Sequence, residues 1–168
     1  MVGWLISALD NSHDRSAFAC GQPSLDQFLK QYAGQNQNKD LSRTFVLTHE
    51  GEARVFGYYS LTASQIDRAS LPAQLRKGLA NYPVPVVRLA RLALDETVKK
   101  TGLGRHMLWD ALNRCVSAST SVGMFAVAVD AINEEAVAFY LHHGFVPLDD
   151  QPLCLIITLK TVRQLFKK

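Results

Sequence analysis

A short glycine-containing segment, Lys99-Lys100-Thr101-Gly102-Leu103-Gly104-Arg105, carries the clearest chemical signal in the sequence. It follows the apolar residues 86–94 and opens a segment whose apolar positions recur with helical spacing. Unpaired N–H groups at a helix N-terminus carry partial positive charge, and glycine lets a backbone approach a phosphate closely. Strand, glycine loop and helix start therefore predict an anion-binding pocket. Two glycines are equally compatible with an ordinary strand-to-helix turn.

Basic residues are concentrated around this loop and near the end of the chain, although the formal net charge is only +3. They are Arg88, Arg91, Lys99, Lys100 and Arg105 around the loop, and Lys160, Arg163, Lys167 and Lys168 at the end. Such clusters attract a phosphate-rich cofactor or a nucleic acid. On charge alone, an ordinary solvated surface is the simpler interpretation.

Composition narrows the class of protein. The chain has 168 residues, of which 48% are apolar and 20% charged, and this suits one soluble globular domain. No apolar run approaches the ~20 residues of a membrane-spanning helix, and the first residues lack the basic leader of a signal peptide. Three widely spaced cysteines indicate reduced thiols in a cytoplasmic protein, and no His or Cys spacing predicts a metal site.

The elements that must position the loop follow from hydrophobic periodicity and turn signals. The sequence predicts strands at 4–9, 43–49, 55–63, 86–94, 125–129, 145–147 and 153–158. It predicts a helix that starts at Ser24 or Asp26, runs through Tyr32 and is ended by the Asn and Gln clusters that follow. Further helices are predicted at 103–116, 134–142 and 161–166, with a short helical or irregular segment at 71–79. Glu50-Gly51-Glu52 predicts a hairpin turn, and Asn133 and Gly144 are suited to begin and end the helix at 134–142. This order indicates a mixed sheet flanked by helices rather than a Rossmann fold or a sandwich.

A glycine loop after the fourth strand, in this order of elements, resembles the GNAT family of N-acetyltransferases. The family's pyrophosphate loop has the pattern Gln/Arg-x-x-Gly-x-Gly/Ala, and Lys99-x-x-Gly102-x-Gly104 matches its glycines. Lys99 departs from the pattern, because it keeps a positive charge but loses a planar donor. The resemblance implies one acetyltransferase domain over residues 1–168. It also implies an α/β (α+β) fold with a mixed, mostly antiparallel central sheet splayed between strands 4 and 5.

Further blocks are spread over nearly the whole chain. They are Phe18-x-Cys20-Gly21-x-x-x-Leu25-Asp26-x-Phe28-Leu29, Ser42-Arg43-Thr44-Phe45-Val46, Gly57-Tyr58-Tyr59-Ser60-Leu61, Arg91-Leu92-Ala93 and Ala138-Phe139-Tyr140-x-x-x-Gly144-Phe145. Together they resemble the acetyltransferase toxins of bacterial toxin–antitoxin pairs, although Ala90 replaces that branch's usual glycine. The resemblance implies acetyl-CoA as co-substrate without a metal, and acetylation of the α-amino group of aminoacyl-tRNA, which blocks translation. It further implies a ribbon-helix-helix type antitoxin and a homodimer.

The resemblance also implies where the substrates bind. The cofactor's phosphates are expected to bind the backbone of Thr101, Gly102, Leu103, Gly104 and Arg105, where Lys99 and Lys100 add positive charge. The pantetheine arm of the cofactor is expected to lie along Leu92, Ala93 and Leu94. A further contact with the cofactor is expected at Asn133. Asn133 is explained equally well as a helix cap. Arg91 and Arg88 are expected to contact the RNA. Strand alternation places Arg91 and Ala93 on one face, which is compatible with a substrate contact or with an exposed arginine.

Tyr140 is the residue that the resemblance assigns to proton transfer. A phenol titrates near pKa ~10 and a thiol near ~8.5, so a protonated Tyr140 can act as a general acid toward a departing thiolate. A tyrosine on an amphipathic helix is otherwise usually part of the core. The α-amino nucleophile has a pKa of about 7.7–8.0, so it needs no strong general base, and none stands out in the sequence.

Two other functions fit the same residues. The chain can be an acetyltransferase for small amines, or a non-catalytic module that binds acyl-CoA. An acidic pocket favours cationic amines, whereas basic residues favour a polyanionic acceptor. Because the residues around the loop are mainly basic, tRNA is the preferred acceptor.

Overall fold

The computed structural model describes residues 2–167. Met1 and Lys168, which are the ends of the predicted domain, lie outside the described residues; Lys168 was also the last cation of the predicted basic cluster. In chain order the elements are β1 (Trp4–Ala8), α1 (Pro23–Gln27), a π-helical turn (Phe28–Tyr32), α2 (Ala33–Asn38), β2 (Arg43–His49), β3 (Val55–Ile66), a 3-10 turn (Arg68–Ser70), α3 (Ala73–Arg76), β4 (Val84–Leu94), a second 3-10 turn (Glu96–Val98), α4 (Leu103–Ala118), β5 (Ala126–Asp130), α5 (Glu134–His142), β6 (Val146–Pro147), β7 (Cys154–Thr158) and α6 (Leu159–Phe166).

Seven strands form a sheet in the order β1-β2-β3-β4-β5-β7-β6. β1 with β2, β2 with β3, β5 with β7 and β6 with β7 are antiparallel, whereas β4 with β5 is parallel. The hairpin predicted from Gly51 is confirmed, since the Glu52 N–H donates to the His49 carbonyl at 2.9 Å. The prediction of a mixed, mostly antiparallel sheet with helices is confirmed. None of the helices in the described part of the chain is long and apolar enough to cross a membrane.

The chain divides into two compact units. The first comprises Met1–Thr62 and Ala90–Ala111, and the second comprises Ala63–Leu89 and Leu112–Lys168. The prediction of a single domain over the whole chain stays a prediction.

The first unit has an apolar core built from β1, β2, β3, the end of β4 and the helical segment that begins at Pro23. Its buried members are Leu9, Phe18, Cys20, Phe28, Leu29, Ala33, Val46, Val55, Tyr58 and Ala93. Gly57 lies where β3 approaches β4 and α4. A Cβ on Gly57 would lie 3.1 Å from the Ala93 carbonyl oxygen and 2.7 Å from Met107 Sδ. Glycine is therefore needed beside the part of β4 that is predicted to hold the pantetheine arm.

The helical segment of the first unit differs from the prediction at its start. It begins at Pro23, in the first turn, where a missing N–H costs nothing. Asp26 instead accepts a hydrogen bond from the Cys20 N–H at 2.9 Å. The predicted end is confirmed, because the segment passes Tyr32 and ends at Asn38, within the Asn and Gln residues 35–38. There the Gln37 side chain donates to the Leu9 carbonyl at 2.8 Å.

The second unit is built around a parallel ladder in which Val86 to Leu89 pair with Ala126 to Val129. Its core cluster contains Ile66, Leu71, Val84, Val86, Ala126, Ala128, Leu148, Cys154 and Ile156. α5 has the predicted bounds, because Asn133 Oδ1 accepts from the Ala136 N–H at 2.9 Å and Gly144 follows its end with a φ of +96°.

Other predicted boundaries shift by a few residues. β3 runs to Ile66, β4 begins at Val84, and β5 covers Ala126–Asp130. α6 begins at Leu159, because Thr158 Oγ1 accepts from the Thr161 N–H at 3.1 Å and so caps the helix two residues before the predicted start.

Candidate active site

The glycine loop lies in the first unit, between the second 3-10 turn and α4. Lys100 and Gly102 both have left-handed backbone conformations, with φ of +60° and +86°. No atom of the described residues lies within 4 Å of the position that a Gly102 Cβ would occupy. Along α4, the first N–H that donates a hydrogen bond to a described residue is that of His106, whose acceptor is the Gly102 carbonyl at 3.2 Å. An open backbone at a helix start is the geometry that an anion requires.

Backbone N–H groups remain available in that first turn. Within residues 2–167, no group accepts a hydrogen bond from the N–H of Leu103, Gly104 or Arg105. Leu103 is buried and fixes the helix start, whereas Arg105 is exposed. The predicted phosphate-binding residues are therefore brought together with their donors unpaired. The loop fits the diphosphate of coenzyme A, which needs donors and little side-chain bulk.

Asp95, a residue that the sequence reasoning missed, anchors the start of this loop. It is 2% exposed, and its carboxylate accepts from the Ala19 N–H at 3.0 Å and from the Thr97 N–H at 3.0 Å. Thr97 Oγ1 also donates to it at 2.7 Å, and Arg54 lies 3.7 Å away. Burial acts to raise the pKa of Asp95, but these hydrogen bonds and the Arg54 charge outweigh it and lower the pKa. The available signal was an Asp-x-Thr turn directly after a strand.

Lys99 has an internal partner beside the loop. Its Nζ donates to the Cys20 carbonyl at 2.5 Å, which ties the loop to the segment before α1. Lys99 and Lys100 are both exposed, and Lys100 adjoins the open turn. Because a carbonyl does not neutralise an ammonium, the charge that both residues are predicted to contribute stays a prediction.

The end of β4 shows the alternation predicted from the sequence. Ala93 belongs to the same buried cluster as Phe28, and the Arg91 guanidinium lies over the Phe28 ring with Cζ 3.7 Å from its centroid. Arg91 and Ala93 therefore share a face, as predicted. Leu92 and Leu94 are half-buried.

Arg88, in the second unit, is held by neighbours within that unit. Its Nη1 is 2.8 Å from Asp130 Oδ2, and its Nε donates to Ser64 Oγ at 3.2 Å. Burial acts to lower the pKa of Arg88, but the Asp130 carboxylate raises it on balance. The two arginines predicted to contact substrate thus differ, because Arg88 already has a carboxylate partner.

Tyr140 lies on α5 in the second unit and is 6% exposed. Its ring packs against Phe139 and Phe145, with centroids 5.3 and 5.2 Å away. In the described part of the chain its hydroxyl has no hydrogen-bond partner, and the hydroxyl oxygen is not among the fully buried unpartnered atoms. Burial, reinforced by the Asp130 charge, raises the pKa of Tyr140. The phenol is therefore protonated at neutral pH and has a proton to donate.

The remaining candidates are explained by structure. Asn133 is the cap of α5. Cys20, Cys115 and Cys154 are free and buried, and burial raises the pKa of Cys20 to about 11 and that of Cys115 to about 12. Thiols that remain protonated are poor nucleophiles, so Cys115 is a small core residue, as expected. Over residues 2–167, no group of three His, Cys, Asp or Glu side chains is arranged to hold a metal ion.

A substitution in the loop tests its openness. Gly102→Ala places a methyl group where a phosphate would approach and imposes left-handed strain of roughly 1–2 kcal/mol. We expect the Kd for acetyl-CoA, measured by calorimetry, to rise about tenfold. Gly51→Ala is the matched control, since Gly51 has a φ of +81° and nothing within 4 Å of its Cβ position. An equal Kd in the two variants would contradict phosphate binding at this loop.

Comparisons with known proteins place this geometry in a family. The acetyltransferase (GNAT) family model matches residues 7–145. A tRNA-acetylating toxin of Mycobacterium tuberculosis is 39% identical over 157 residues, covering 94% of this chain and 93% of that protein. The chain therefore belongs to the acetyltransferase (GNAT) family, and the resemblance predicted from the sequence is confirmed.

Two solved structures are similar over nearly their whole length. AtaT complexed with acetyl-methionyl-tRNAfMet has a TM-score of 0.91 and 32% identity, covering 97% of this chain and 99% of that one. A tyrosine-to-phenylalanine mutant of the AtaT toxin, bound to the C-terminus of the antitoxin AtaR and to acetyl-CoA, has a TM-score of 0.85 and 29% identity, covering 99% of each chain. The similarity extends to the fold as a whole.

Proposed function

We propose that this protein is an acetyl-CoA-dependent N-acetyltransferase toxin that acetylates the α-amino group of aminoacyl-tRNA and so blocks translation. The observation that carries the proposal is the match, over 94% of this chain, to a tRNA-acetylating toxin. The AtaT structure that contains acetyl-methionyl-tRNA supports the same acceptor. The open turn at Gly102 supports the use of a phosphate-bearing acetyl donor.

In the proposed reaction the amine nitrogen attacks the thioester carbonyl carbon of acetyl-CoA. A C–N bond forms, the C–S bond breaks, the amine loses a proton to solvent, and the thiolate of coenzyme A takes up a proton. The α-amino group is partly neutral near pH 7, because its pKa is about 7.7–8.0. The chain therefore needs groups that orient the amine and protonate the sulfur more than it needs a strong base.

Residues of this chain are assigned to three tasks. The N–H groups of Leu103, Gly104 and Arg105 hold the diphosphate, with Thr101, Gly102, Lys99 and Lys100 shaping and charging the loop. Backbone groups of Leu92, Ala93 and Leu94 pair with the pantetheine arm as an added strand would. An N–H there can also bind the carbonyl oxygen as negative charge develops on it, an interaction often worth ~3 kcal/mol. Asn133, which caps α5, is retained as a further cofactor contact.

Tyr140 is assigned the role of general acid. Its hydroxyl has no hydrogen-bond partner within residues 2–167, and its pKa is raised, so the proton is present and uncommitted. Arg91 and Arg88 are assigned to the RNA. Arg88 must serve with its guanidinium already paired to Asp130, so Arg91 is the stronger candidate.

The partners of the protein follow from the same relatives. The AtaT toxin was solved with its antitoxin AtaR, and we extend this to a cognate antitoxin for the present chain. We further propose that the antitoxin is a DNA-binding protein of the ribbon-helix-helix type, that the enzyme is a homodimer, and that it acts in the cytoplasm. Sedimentation of the purified protein tests the homodimer.

One incubation separates the possible activities. Purified protein is mixed with labelled acetyl-CoA and either total aminoacylated tRNA or a panel of free amines. We expect label in the RNA fraction and its loss on deacylation of the tRNA. Label only on the amines would identify a small-molecule acetyltransferase, and bound cofactor without transfer would identify an acyl-CoA-binding module. Either result would contradict the proposal.

A further inference from the structure

The Arg91 guanidinium rests on a rigid aromatic support in the first unit. Its Cζ is 3.7 Å from the centroid of the Phe28 ring, and Phe28 is only 4% exposed. The Phe28 ring in turn stacks on Tyr58, with centroids 6.1 Å apart and an interplanar angle of 21°. Tyr58 is itself fixed, because its hydroxyl donates to the Leu25 carbonyl at 2.7 Å. The support under Arg91 is therefore continuous with the core.

Arg91 differs from Arg88 and Arg54 in lacking a carboxylate partner among the described residues. Arg88 has Asp130 at 2.8 Å, and Arg54, which also lies over an aromatic ring, has Asp95 at 3.7 Å. Within the described residues, no oxygen accepts a hydrogen bond from Arg91, and no carboxylate is paired with it. Arg91 is nevertheless half-buried. Its nitrogens are not among the fully buried unpartnered atoms, so the five donors of this guanidinium are accessible to an acceptor from outside the chain.

The position of the Arg91 guanidinium over the Phe28 ring indicates the class of ligand. When one face of a guanidinium lies on a ring, its donors point outward in the plane and match the paired oxygens of a phosphate or carboxylate. We propose that Phe28 is a positioning residue that holds Arg91 as a two-donor contact for a phosphate group at the acceptor end of the RNA substrate. This inference rests on the proposed function. Coenzyme A also carries phosphates, so the experiment must separate the two sources.

The test varies the concentration of aminoacyl-tRNA at saturating acetyl-CoA and compares five variants with the wild type. We expect Phe28→Leu and Arg91→Lys to raise KM for aminoacyl-tRNA about tenfold, because the first removes the ring and the second removes the planar pair of donors. We expect kcat to remain within about twofold, because the affected contact binds the RNA equally well in the ground state and in the transition state. The Kd for acetyl-CoA should remain unchanged, because the contact is made to the RNA. Phe28→Tyr keeps an aromatic face and should keep the wild-type KM.

Phe18→Leu is the matched control. Phe18 lies in the same core cluster and contacts the same Tyr58 ring, but Arg91 is not stacked on it. We expect Phe18→Leu to lower the melting temperature as much as Phe28→Leu and to leave KM unchanged. Arg91→Gln removes one positive charge from the RNA contact. The slope of log KM against log salt concentration should therefore be smaller by about one, which corresponds to one counterion fewer released on binding.

Distinct results overturn distinct statements. The inference fails if the wild type acetylates tRNA but Phe28→Leu and Phe18→Leu have the same KM. It also fails if Arg91→Lys and Phe28→Leu weaken acetyl-CoA and RNA equally, since the phosphate would then belong to the cofactor. If Phe28→Leu does not fold, an unchanged KM in Arg91→Lys overturns it. A wild type that acetylates no tRNA overturns the proposed function instead.

Discussion

Tyr140→Phe is expected to lower kcat for acetylation of aminoacyl-tRNA at least tenfold while leaving the fold and the affinity for acetyl-CoA intact. Loss of a general acid typically costs a factor of about 10²–10⁴. We take tenfold as the lower bound, because the departing thiolate can also take its proton from water. Stability should not change, because the Tyr140 hydroxyl bonds to no group among the described residues. Phenylalanine keeps the ring contacts with Phe139 and Phe145. The variant therefore removes a proton donor and little else.

Steady-state kinetics with circular dichroism and acetyl-CoA calorimetry check this expectation. Tyr82→Phe is the control for loss of a phenol, since Tyr82 is 72% exposed. The pH profile adds a second readout. Because the pKa of Tyr140 is raised, the wild-type rate should increase as the acceptor amine loses its proton near pH ~8 and should show no later decline from Tyr140. Unchanged turnover in Tyr140→Phe would remove this residue from the mechanism.

Features set by a few neighbouring residues could be predicted from the sequence. The Gly51 turn, the Asn133 cap and the Gly144 helix end depend on backbone conformations and capping groups that the local residue types favour. The glycine loop was found for the same reason, because Gly102 supplies a left-handed residue directly before a helix. Local preferences therefore fixed most elements and the part of the candidate site that consists of backbone.

Features set by distant partners could not be predicted. Nothing near Lys99 in the sequence indicates that its ammonium donates to the carbonyl of Cys20, which is 79 residues away in the chain. Arg88 pairs with Asp130, 42 residues away, and nothing near Arg88 in the sequence indicates this. A guanidinium that already pairs with a carboxylate attracts an anionic ligand less strongly than one that does not. Arg88 is paired with Asp130 and Arg91 has no carboxylate partner among the described residues, and strand periodicity, which places the two arginines on opposite faces of β4, does not indicate this difference.

The end of the first helical segment shows both kinds of signal. The Asn and Gln residues at 35–38 predict this end, because such side chains compete for backbone hydrogen bonds, and the helix ends at Asn38. Gln37 accepts from the Thr44 N–H at 3.0 Å and donates to the Leu9 carbonyl, and neither contact is indicated by the local residue types. These two hydrogen bonds join the end of the helix to β2 and to the residue after β1 in the first unit.

Replacing Asp95 is expected to have the largest effect on stability, since this buried carboxylate satisfies donors from two segments of the first unit. In Asp95→Asn one carboxylate oxygen becomes an amide N–H₂ group. That group must face either the Ala19 N–H or the N–H and hydroxyl of Thr97, which are themselves donors and so lose their acceptor. Net hydrogen bonds to charged groups are worth about 1.5–3 kcal/mol each, so we expect the free energy of unfolding to fall by about 3 kcal/mol at pH 7. For a chain of this size, that corresponds to a melting temperature lower by roughly 10 °C.

The pH dependence of this loss identifies its cause. The pKa of Asp95 is lowered in the folded state, so its stabilisation is complete above the unfolded pKa of ~3.9 and is lost as pH falls through the folded pKa. The difference in unfolding free energy between wild type and Asp95→Asn should therefore be constant near neutral pH and shrink in acid. Asp10→Asn is the control, because Asp10 is exposed and bonds only within its own turn. A difference that persists unchanged at pH 2 would assign the loss to packing rather than to charge. At neutral pH, Asp95→Asn should also lower the affinity for acetyl-CoA, because Asp95 stabilises the turn that precedes the phosphate-binding loop.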